Sequence, residues 1–378
     1  MTQKIARFFE EQRPQTPCLV IDLDVVEQNY NDLHDALPDA RIFYAVKANP
    51  AAEILSLLAR LGSAFDCASV PEIQMALAAG ATPERISFGN TIKKEGDIRR
   101  AYELGVRLFA FDSEPELEKI ERAAPGARVF CRILTSGEGA EWPLSRKFGC
   151  DLTMARELLL KARDMDVQPY GVSFHVGSQQ KDLMQWDHAI FQVAQLFREL
   201  EVLGVDLGMI NLGGGFPTRY RTDVPECTAY GQAIFDSLRN HFGNHLPETI
   251  VEPGRGMVGS AGIIESEVVL VSRKSAEDTK RWVYLDIGKF GGLAETMDEA
   301  IQYPIEVLGD EPEDDREAVI LAGPTCDSAD VLYERADYKM PMGLKAGDRV
   351  RIHATGAYTT TYSAVCFNGF APLQHYCI

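Results

Sequence analysis

Short apolar runs alternate with amphipathic stretches over most of the chain. Helix-like stretches such as AAEILSLLARL and AIFQVAQLFRELEVLG separate the runs, an alternation typical of right-handed βαβ units and a parallel sheet. Eight such units predict a (β/α)8 barrel. The number of units is also compatible with an open doubly wound sheet, which is the alternative fold. The eight predicted strands are RIFYAVKAN, SAFDCAS, ISFGN, LFAFDS, RVFCRI, YGVSFHVG, MINLGGG and TIVEPGR.

The pattern changes after residue 260. The runs GIIESEVVLVSRK, RWVYLDIG, AVILAGP and DRVRIHAT predict strands with little helix between them, which is typical of antiparallel sheets. The early run CLVIDLD predicts a strand that joins the same sheet. We therefore predict an α/β protein with a barrel over residues 29–258, and a mostly antiparallel β domain formed by residues 1–28 and 259–378.

Composition narrows the class of protein. The chain has 378 residues and a net charge of -18, which argues against binding to nucleic acid or to anionic membranes. The N-terminus lacks the apolar core of a signal peptide, and no apolar run reaches the ~20 residues of a membrane helix. The 8 cysteines form no C-x-x-C pair or zinc spacing. We expect a cytoplasmic protein with reduced thiols and no metal site.

Polar groups follow the ends of four predicted barrel strands, where barrel enzymes place their active sites. A glycine-rich loop lets backbone N–H groups approach an anion, and an arginine can bind phosphate with two hydrogen bonds. The structural alternatives to functional roles are a lysine that reaches water from the end of a strand, and an acid that is neutralised by a nearby base. An amine, an imidazole, an anion cradle and a carboxylate together suit pyridoxal 5'-phosphate (PLP). The residues are Lys47, His175, glycines 213–215, and Glu252 followed by Arg255.

Nine motifs occur in order along nearly the whole chain. They are FYAVKANP, FDCAS, KFGC, SFHVGSQ, NLGGGFP, EPGRG, GPTCDSAD, GAYT and FNGF. With these motifs the chain resembles the PLP-dependent ornithine, lysine, diaminopimelate and arginine decarboxylases of the alanine-racemase-like fold. The resemblance implies PLP as the cofactor. It also implies a head-to-tail homodimer with active sites at the subunit interface.

The resemblance implies a role for each matching residue. Lys47 forms the Schiff base, His175 stacks on the cofactor ring, and Glu252 pairs with the pyridine nitrogen. Asp66 lies near the same nitrogen. The phosphate and the rest of the cofactor are held by residues of four motifs, namely Ser178, Gly214, Gly215, Gly254, Arg255 and Tyr358.

The resemblance also implies how a substrate is bound and converted. Cys326 of the partner chain donates a proton to Cα after CO2 has left, and Asp327 pairs with a distal ammonium. Asp298 and Glu299 are candidates for a second carboxylate near that ammonium, and a solvated helix turn is the alternative for both. Tyr358 and Phe367 are also expected to contact the substrate. The predicted reaction converts L-ornithine to putrescine and CO2.

Several related activities are alternatives. Lysine decarboxylation, alone or beside ornithine decarboxylation, would make cadaverine, because one methylene is worth only ~1–3 kcal/mol of discrimination. The diaminopimelate enzymes carry CES where this chain reads CDS, and the racemases place an arginine where Glu252 stands. The biosynthetic arginine decarboxylases are much longer chains. A non-catalytic regulator is a further alternative.

The chain departs from the animal enzymes at Pro143, where those enzymes have an arginine. Arg146 is a candidate substitute for that arginine.

Overall fold

The computed structural model describes residues 1–142, 147–309 and 315–378, so Pro143 and Arg146 lie outside the described residues. The chain divides into two compact units. The barrel unit comprises Glu27–Pro217 and Val224–Met257. The β unit comprises Met1–Val26, Thr218–Asp223 and Val258–Ile378.

Strands and helices are numbered along the chain. The strands are β1 (Cys18–Ile21), β2 (Ala40–Ala45), β3 (Ala64–Cys67), β4 (Ile86–Phe88), β5 (Leu108–Phe111), β6 (Arg128–Arg132), β7 (Ala140–Trp142), β8 (Gln168–Ser173), β9 (Ser178–Gln180), β10 (Met209–Asn211), β11 (Glu248–Val251), β12 (Gly262–Ser272), β13 (Arg281–Leu285), β14 (Ile305–Val307), β15 (Arg316–Ala322), β16 (Val331–Tyr333), β17 (Lys339–Pro341), β18 (Arg349–His353) and β19 (Gln374–Cys377). The α-helices are α1 (Gln3–Gln12), α2 (Leu23–Ala36), α3 (Ala52–Leu61), α4 (Val70–Ala78), α5 (Glu95–Glu103), α6 (Glu114–Ala123), α7 (Leu152–Arg163), α8 (Met184–Val202), α9 (Cys227–Phe242) and α10 (Arg255–Val258). The 3-10 helices are Val46–Ala48, Pro83–Arg85, Gly259–Ala261, Ala294–Glu299 and Phe367–Gly369.

Eight parallel strands close into a barrel in the order β2, β3, β4, β5, β6, β8, β10 and β11, and β11 pairs with β2. These are the eight strands that the apolar runs predict, so the barrel fold is confirmed. Because side chains alternate along a strand, every second residue points inward. The interior is packed with residues from six of the strands, namely Phe43, Ala64, Leu108, Ala110, Phe130, Met209 and Ile250.

The β unit is built on a mostly antiparallel sheet, as predicted. Its main path runs β14, β18, β12, β13, β15 and β16, with β17 paired to β15. The early strand β1 joins this sheet by antiparallel pairing with β12, and β19 pairs with β1 in parallel. Strands β14, β16 and β17 have three residues each and were not predicted, because such short segments show no alternation of polar and apolar positions.

None of the helices in the described part of the chain combines the length and the apolar character needed to cross a bilayer.

Candidate active site

Lys47 lies on a turn at the carboxyl end of β2. The predicted strand through Asn49 was wrong, because β2 ends at Ala45 and Val46–Ala48 forms a 3-10 turn. The Tyr44 hydroxyl donates to the Asn49 carbonyl at 2.9 Å, and the Asn49 side chain accepts from the Ala51 N–H at 3.1 Å. These bonds close the turn. Lys47 is exposed in the single chain.

Two carboxyl groups, the buried Asp66 and the half-buried Glu252, lie close enough to Lys47 for its charge to act on both. Asp66 on β3 is 7% exposed and accepts a hydrogen bond from Ser87 Oγ at 3.3 Å. Glu252 follows β11 and accepts from Asn211 Nδ2 at 2.5 Å. Burial and the negative charge of Asp66 raise the pKa of Glu252 to about 7, against the opposing effects of Asn211 and Lys47. Burial also raises the pKa of Asp66, so the pair does not readily carry two negative charges at neutral pH.

Arg132 is a member of this cluster that the sequence analysis missed. It is the last residue of β6, and its guanidinium lies 5.2 Å from the centre of the Phe148 ring. Burial lowers its pKa, and the charges of Glu252 and Asp66 oppose that shift. A signal was present in RVFCRI, because Arg132 lies two residues after the interior Phe130 and therefore on the inward face of a strand end.

His175 presents a neutral ring. The strand β8 ends at Ser173, so His175 lies in the following loop. Its Nδ1 accepts a hydrogen bond from the Gly177 N–H at 2.9 Å, which requires that Nδ1 carry no proton. Burial, followed by the charges of Arg132 and Lys47, holds the pKa of His175 well below its ordinary value. A flat neutral imidazole suits stacking against an aromatic cofactor.

Glycines 213–215 form a cradle that a side chain would fill. A Cβ on Gly213, which has φ 64°, would lie 2.2 Å from the Phe174 carbonyl oxygen. A Cβ on Gly214 would lie 2.6 Å from the Glu252 carbonyl oxygen, and one on Gly215 would lie 2.7 Å from the Gly177 carbonyl oxygen. The loop therefore requires glycine, and it carries no side chain that would keep an anion away from its backbone.

Arg255 supplies a buried cation next to a hydroxyl group. It begins α10, is 3% exposed, and donates from Nε and Nη2 to Ser178 Oγ, both at 3.2 Å. The preceding Gly254 is buried, and its carbonyl accepts from the Met257 N–H at 3.1 Å. A guanidinium and a hydroxyl held together are suitable ligands for a phosphate.

The remaining predicted residues lie in the β unit. Cys326 and Asp327 are exposed on the loop after β15, where the Cys326 N–H donates to the Asn368 side chain at 2.9 Å. This bond connects their loop to the 3-10 helix that begins with Phe367. Tyr358 is half-buried and has φ 57°. Asp298 and Glu299 lie on a different loop of the same unit.

Asp330 holds the loop that carries Cys326 and was also missed. It is 2% exposed, and its carboxylate accepts from the Lys289 N–H at 2.8 Å and from the Thr325 hydroxyl at 2.7 Å. Gly288 and Gly323 pack against it, since a Cβ on either would lie within 2.3 Å of a carboxylate oxygen. The buried carboxylate therefore fixes both ends of a turn whose exposed tip includes Cys326.

The barrel-unit residues fit PLP. The glycine cradle and Arg255 suit its phosphate, the neutral His175 suits its ring, Glu252 suits its pyridine nitrogen, and Lys47 offers an amine for its aldehyde. The fold and the site therefore define a barrel enzyme of the PLP-dependent type.

Comparison with known proteins identifies the family. Residues 23–259 match the model described as "Pyridoxal-dependent decarboxylase, pyridoxal binding domain". The chain belongs to the family of PLP-dependent ornithine and arginine decarboxylases, and PLP is its cofactor.

Similar proteins cover nearly the whole chain. The lysine/ornithine decarboxylase of Selenomonas ruminantium is 36% identical over 95% of this chain and 88% of its own length. The ornithine decarboxylase of Schizosaccharomyces pombe is 33% identical over 93% of this chain and 81% of its own length. The solved structure of the S. ruminantium lysine decarboxylase with PLP and cadaverine is 34% identical. It matches with a TM-score of 0.88 over 100% of this chain and 94% of that chain.

Proposed function

We propose that the chain decarboxylates L-ornithine to putrescine and CO2. The observation that carries the proposal is the half-buried Glu252, which lies beside Asp66 at a site with a lysine and an anion cradle and whose pKa is raised to about 7. A glutamate is the partner that keeps the pyridine nitrogen protonated. Bound PLP then supplies an electron sink for the electron pair that the departing CO2 leaves at Cα.

Each barrel residue has one task in this proposal. Lys47 attaches the cofactor through its amine, and His175 covers one face of the ring. Glu252 holds a proton at the pyridine nitrogen. Asp66, which accepts a hydrogen bond from Ser87, lies near the same nitrogen. Ser178, Gly215 and Arg255 hold the phosphate, and Gly214 and Gly254 contact the cofactor beside them. Tyr358 of the β unit adds a hydroxyl group.

Cys326 and Asp327 act in the active site of a partner chain. Both are exposed on a loop that the buried Asp330 holds through Thr325, and an exposed cysteine beside an aspartate is available to a second subunit. We propose a head-to-tail homodimer in the cytoplasm, in which Cys326 protonates Cα and Asp327 binds the distal ammonium. Asp298 supplies the second carboxylate, and Tyr358 and Phe367 line the substrate pocket.

Lysine is the second candidate substrate. The S. ruminantium relative is named as a lysine/ornithine decarboxylase, and its 36% identity covers 95% of this chain. The single methylene between the two substrates is worth only ~1–3 kcal/mol. Asp327 favours a terminal ammonium in either case, because it is one methylene shorter than the glutamate of the diaminopimelate enzymes.

The first experiment measures kcat/KM for CO2 release from L-ornithine and L-lysine with added PLP. A preference for ornithine supports the proposal, comparable values indicate a dual decarboxylase, and no release from either substrate refutes both.

A second experiment mixes inactive Lys47→Ala and Cys326→Ala chains. If one site uses both subunits, random pairing restores about a quarter of the wild-type activity. If every site is built from one chain, mixing restores none.

A further inference from the structure

Gln180 ends the short strand β9 and connects that strand to the glycine cradle. It is fully buried, and its main-chain N–H donates to the Gly215 carbonyl at 2.9 Å. Ser178 begins the same strand, and its hydroxyl accepts two hydrogen bonds from Arg255. One strand of three residues therefore contacts both groups that suit the phosphate of the cofactor.

The Gln180 side chain connects the same strand to the loop that carries His175. Its Nε2 donates to the carbonyls of Val176 and Glu138, both at 2.8 Å. Its Oε1 accepts from the Asp182 N–H at 3.0 Å. These partners determine the orientation of the amide, because its two donors meet carbonyls and its oxygen meets an N–H group. Since Val176 directly follows His175, the amide joins the residue that suits the cofactor ring to the strand that contacts the phosphate groups.

The backbone of β9 depends on such contacts. Gln179 lies between Ser178 and Gln180, is 1% exposed and has φ 58°, in the left-handed region. A residue other than glycine keeps this conformation only where its surroundings fix it. Tyr230 on α9 supplies a further contact, because its buried hydroxyl donates to the Gln180 carbonyl at 2.9 Å. If these bonds were lost, β9 could relax and Ser178 would move relative to His175.

We propose that Gln180 is a positioning residue that holds the phosphate-binding groups and His175 at a fixed spacing, and thereby sets the affinity of the chain for PLP. This inference rests on the proposed roles of these groups at the cofactor, and it does not depend on the substrate. PLP contacts both places at once, so it gains over its separate parts only when the spacing matches. Gln180 acts through the residues that it holds, because both ends of its amide are already bonded.

The test titrates the full-length apoprotein with PLP, with pyridoxal, which lacks the phosphate, and with inorganic phosphate in competition with PLP. Gln180→Met keeps the volume and the main-chain bonds but removes the amide. We expect it to raise Kd for PLP by about tenfold or more, and Kd for pyridoxal and for inorganic phosphate by less than about threefold each. General loosening of the fold would weaken all three ligands by similar factors. An unchanged Kd for PLP, or equal factors for the three ligands, overturns the inference.

Tyr230→Phe is a milder variant that keeps the aromatic ring and removes only the hydroxyl. It should raise Kd for PLP by about threefold or more, because the Gln180 carbonyl loses its bond to α9. The matched control is Tyr338→Phe, since Tyr338 in the β unit is also buried and donates its hydroxyl to a backbone carbonyl, that of Tyr303, at 2.8 Å. The control should leave Kd for PLP unchanged, and an equal rise in both variants overturns the inference.

The wild type distinguishes this inference from the proposed cofactor contacts on which it rests. Inorganic phosphate should compete with PLP for the wild-type apoprotein. If it does not compete, the proposed phosphate site is wrong, and the inference falls with it. If it competes and the Gln180→Met variant binds PLP as the wild type does, the phosphate site stands and only the positioning role of Gln180 is refuted.

Discussion

Replacing Glu252 with glutamine should stabilise the protein from which PLP has been removed. The pKa of this carboxyl is raised from 4.5 to about 7, first by burial and then by the charge of Asp66. That difference corresponds to about 3 kcal/mol of unfavourable free energy when the group is ionised in the folded state. Glutamine fills the same space without a charge and keeps an oxygen that can accept from Asn211.

The sign of the pH dependence follows from the raised pKa. Between about pH 4.5 and pH 7 the folded protein binds more protons than the unfolded chain, so the stability of the wild type falls as the pH rises through this window. The glutamine variant lacks this loss. We therefore expect it to exceed the wild type by about 1–3 kcal/mol at pH 8 and by less than about 1 kcal/mol at pH 5.

Urea denaturation of the apoprotein at both pH values measures the effect. Glu53→Gln on the exposed side of α3 is the control for the chemical change itself and should have no effect at either pH. Asp66→Asn should reduce the pH dependence, because it removes the charge that raises the pKa of Glu252. Equal stabilisation of the Glu252→Gln variant at pH 5 and pH 8, or destabilisation at pH 8, would refute the reasoning.

Two further changes test the cofactor cradle and the cysteine loop. Gly214→Ala should raise the dissociation constant for PLP by at least about tenfold, because its Cβ would lie 2.6 Å from the Glu252 carbonyl oxygen. Gly96→Ala, where nothing lies within 4 Å, should not, and equal affinities in a PLP titration would contradict this interpretation. Asp330→Asn should lower kcat about tenfold with unchanged PLP affinity, because it releases the loop that carries Cys326. An unchanged kcat would show that this loop needs no such anchor.

The barrel could be predicted from sequence because each of its strands is a distinct apolar run. The ends of the strands could not be predicted in this way. The segments VKAN after Ala45 and FHVG after Ser173 are as apolar as the strands before them, but they form turns and loops. Helix α1 was missed as well, although its buried Ile5 and Phe9 have helical spacing. Hydrophobic periodicity reports burial, and hydrogen bonding at a chain reversal decides where a strand ends.

The candidate site was predictable where a residue ends a strand within a recognisable motif. Lys47, His175 and Glu252 are of this kind, and the structure places Lys47 close enough for its charge to act on the other two. Asn211 was not found, because its importance comes from its hydrogen bond to Glu252, which lies 41 residues away in sequence. Arg132 was missed although its position at a strand end was a signal. Contacts between residues that are distant in sequence leave no local pattern.

Closure of the barrel determines when the cofactor site can form during synthesis of the chain. Strand β11 pairs with β2, joining Thr249 to Ala40 and Val251 to Ile42. Lys47 follows one of these strands and Glu252 follows the other, so both sides of the site come together only when the last strand meets the first. Pairing of segments so distant in sequence is slow. A nascent chain therefore has no pocket for PLP until the segment ending at Val251 has left the ribosome.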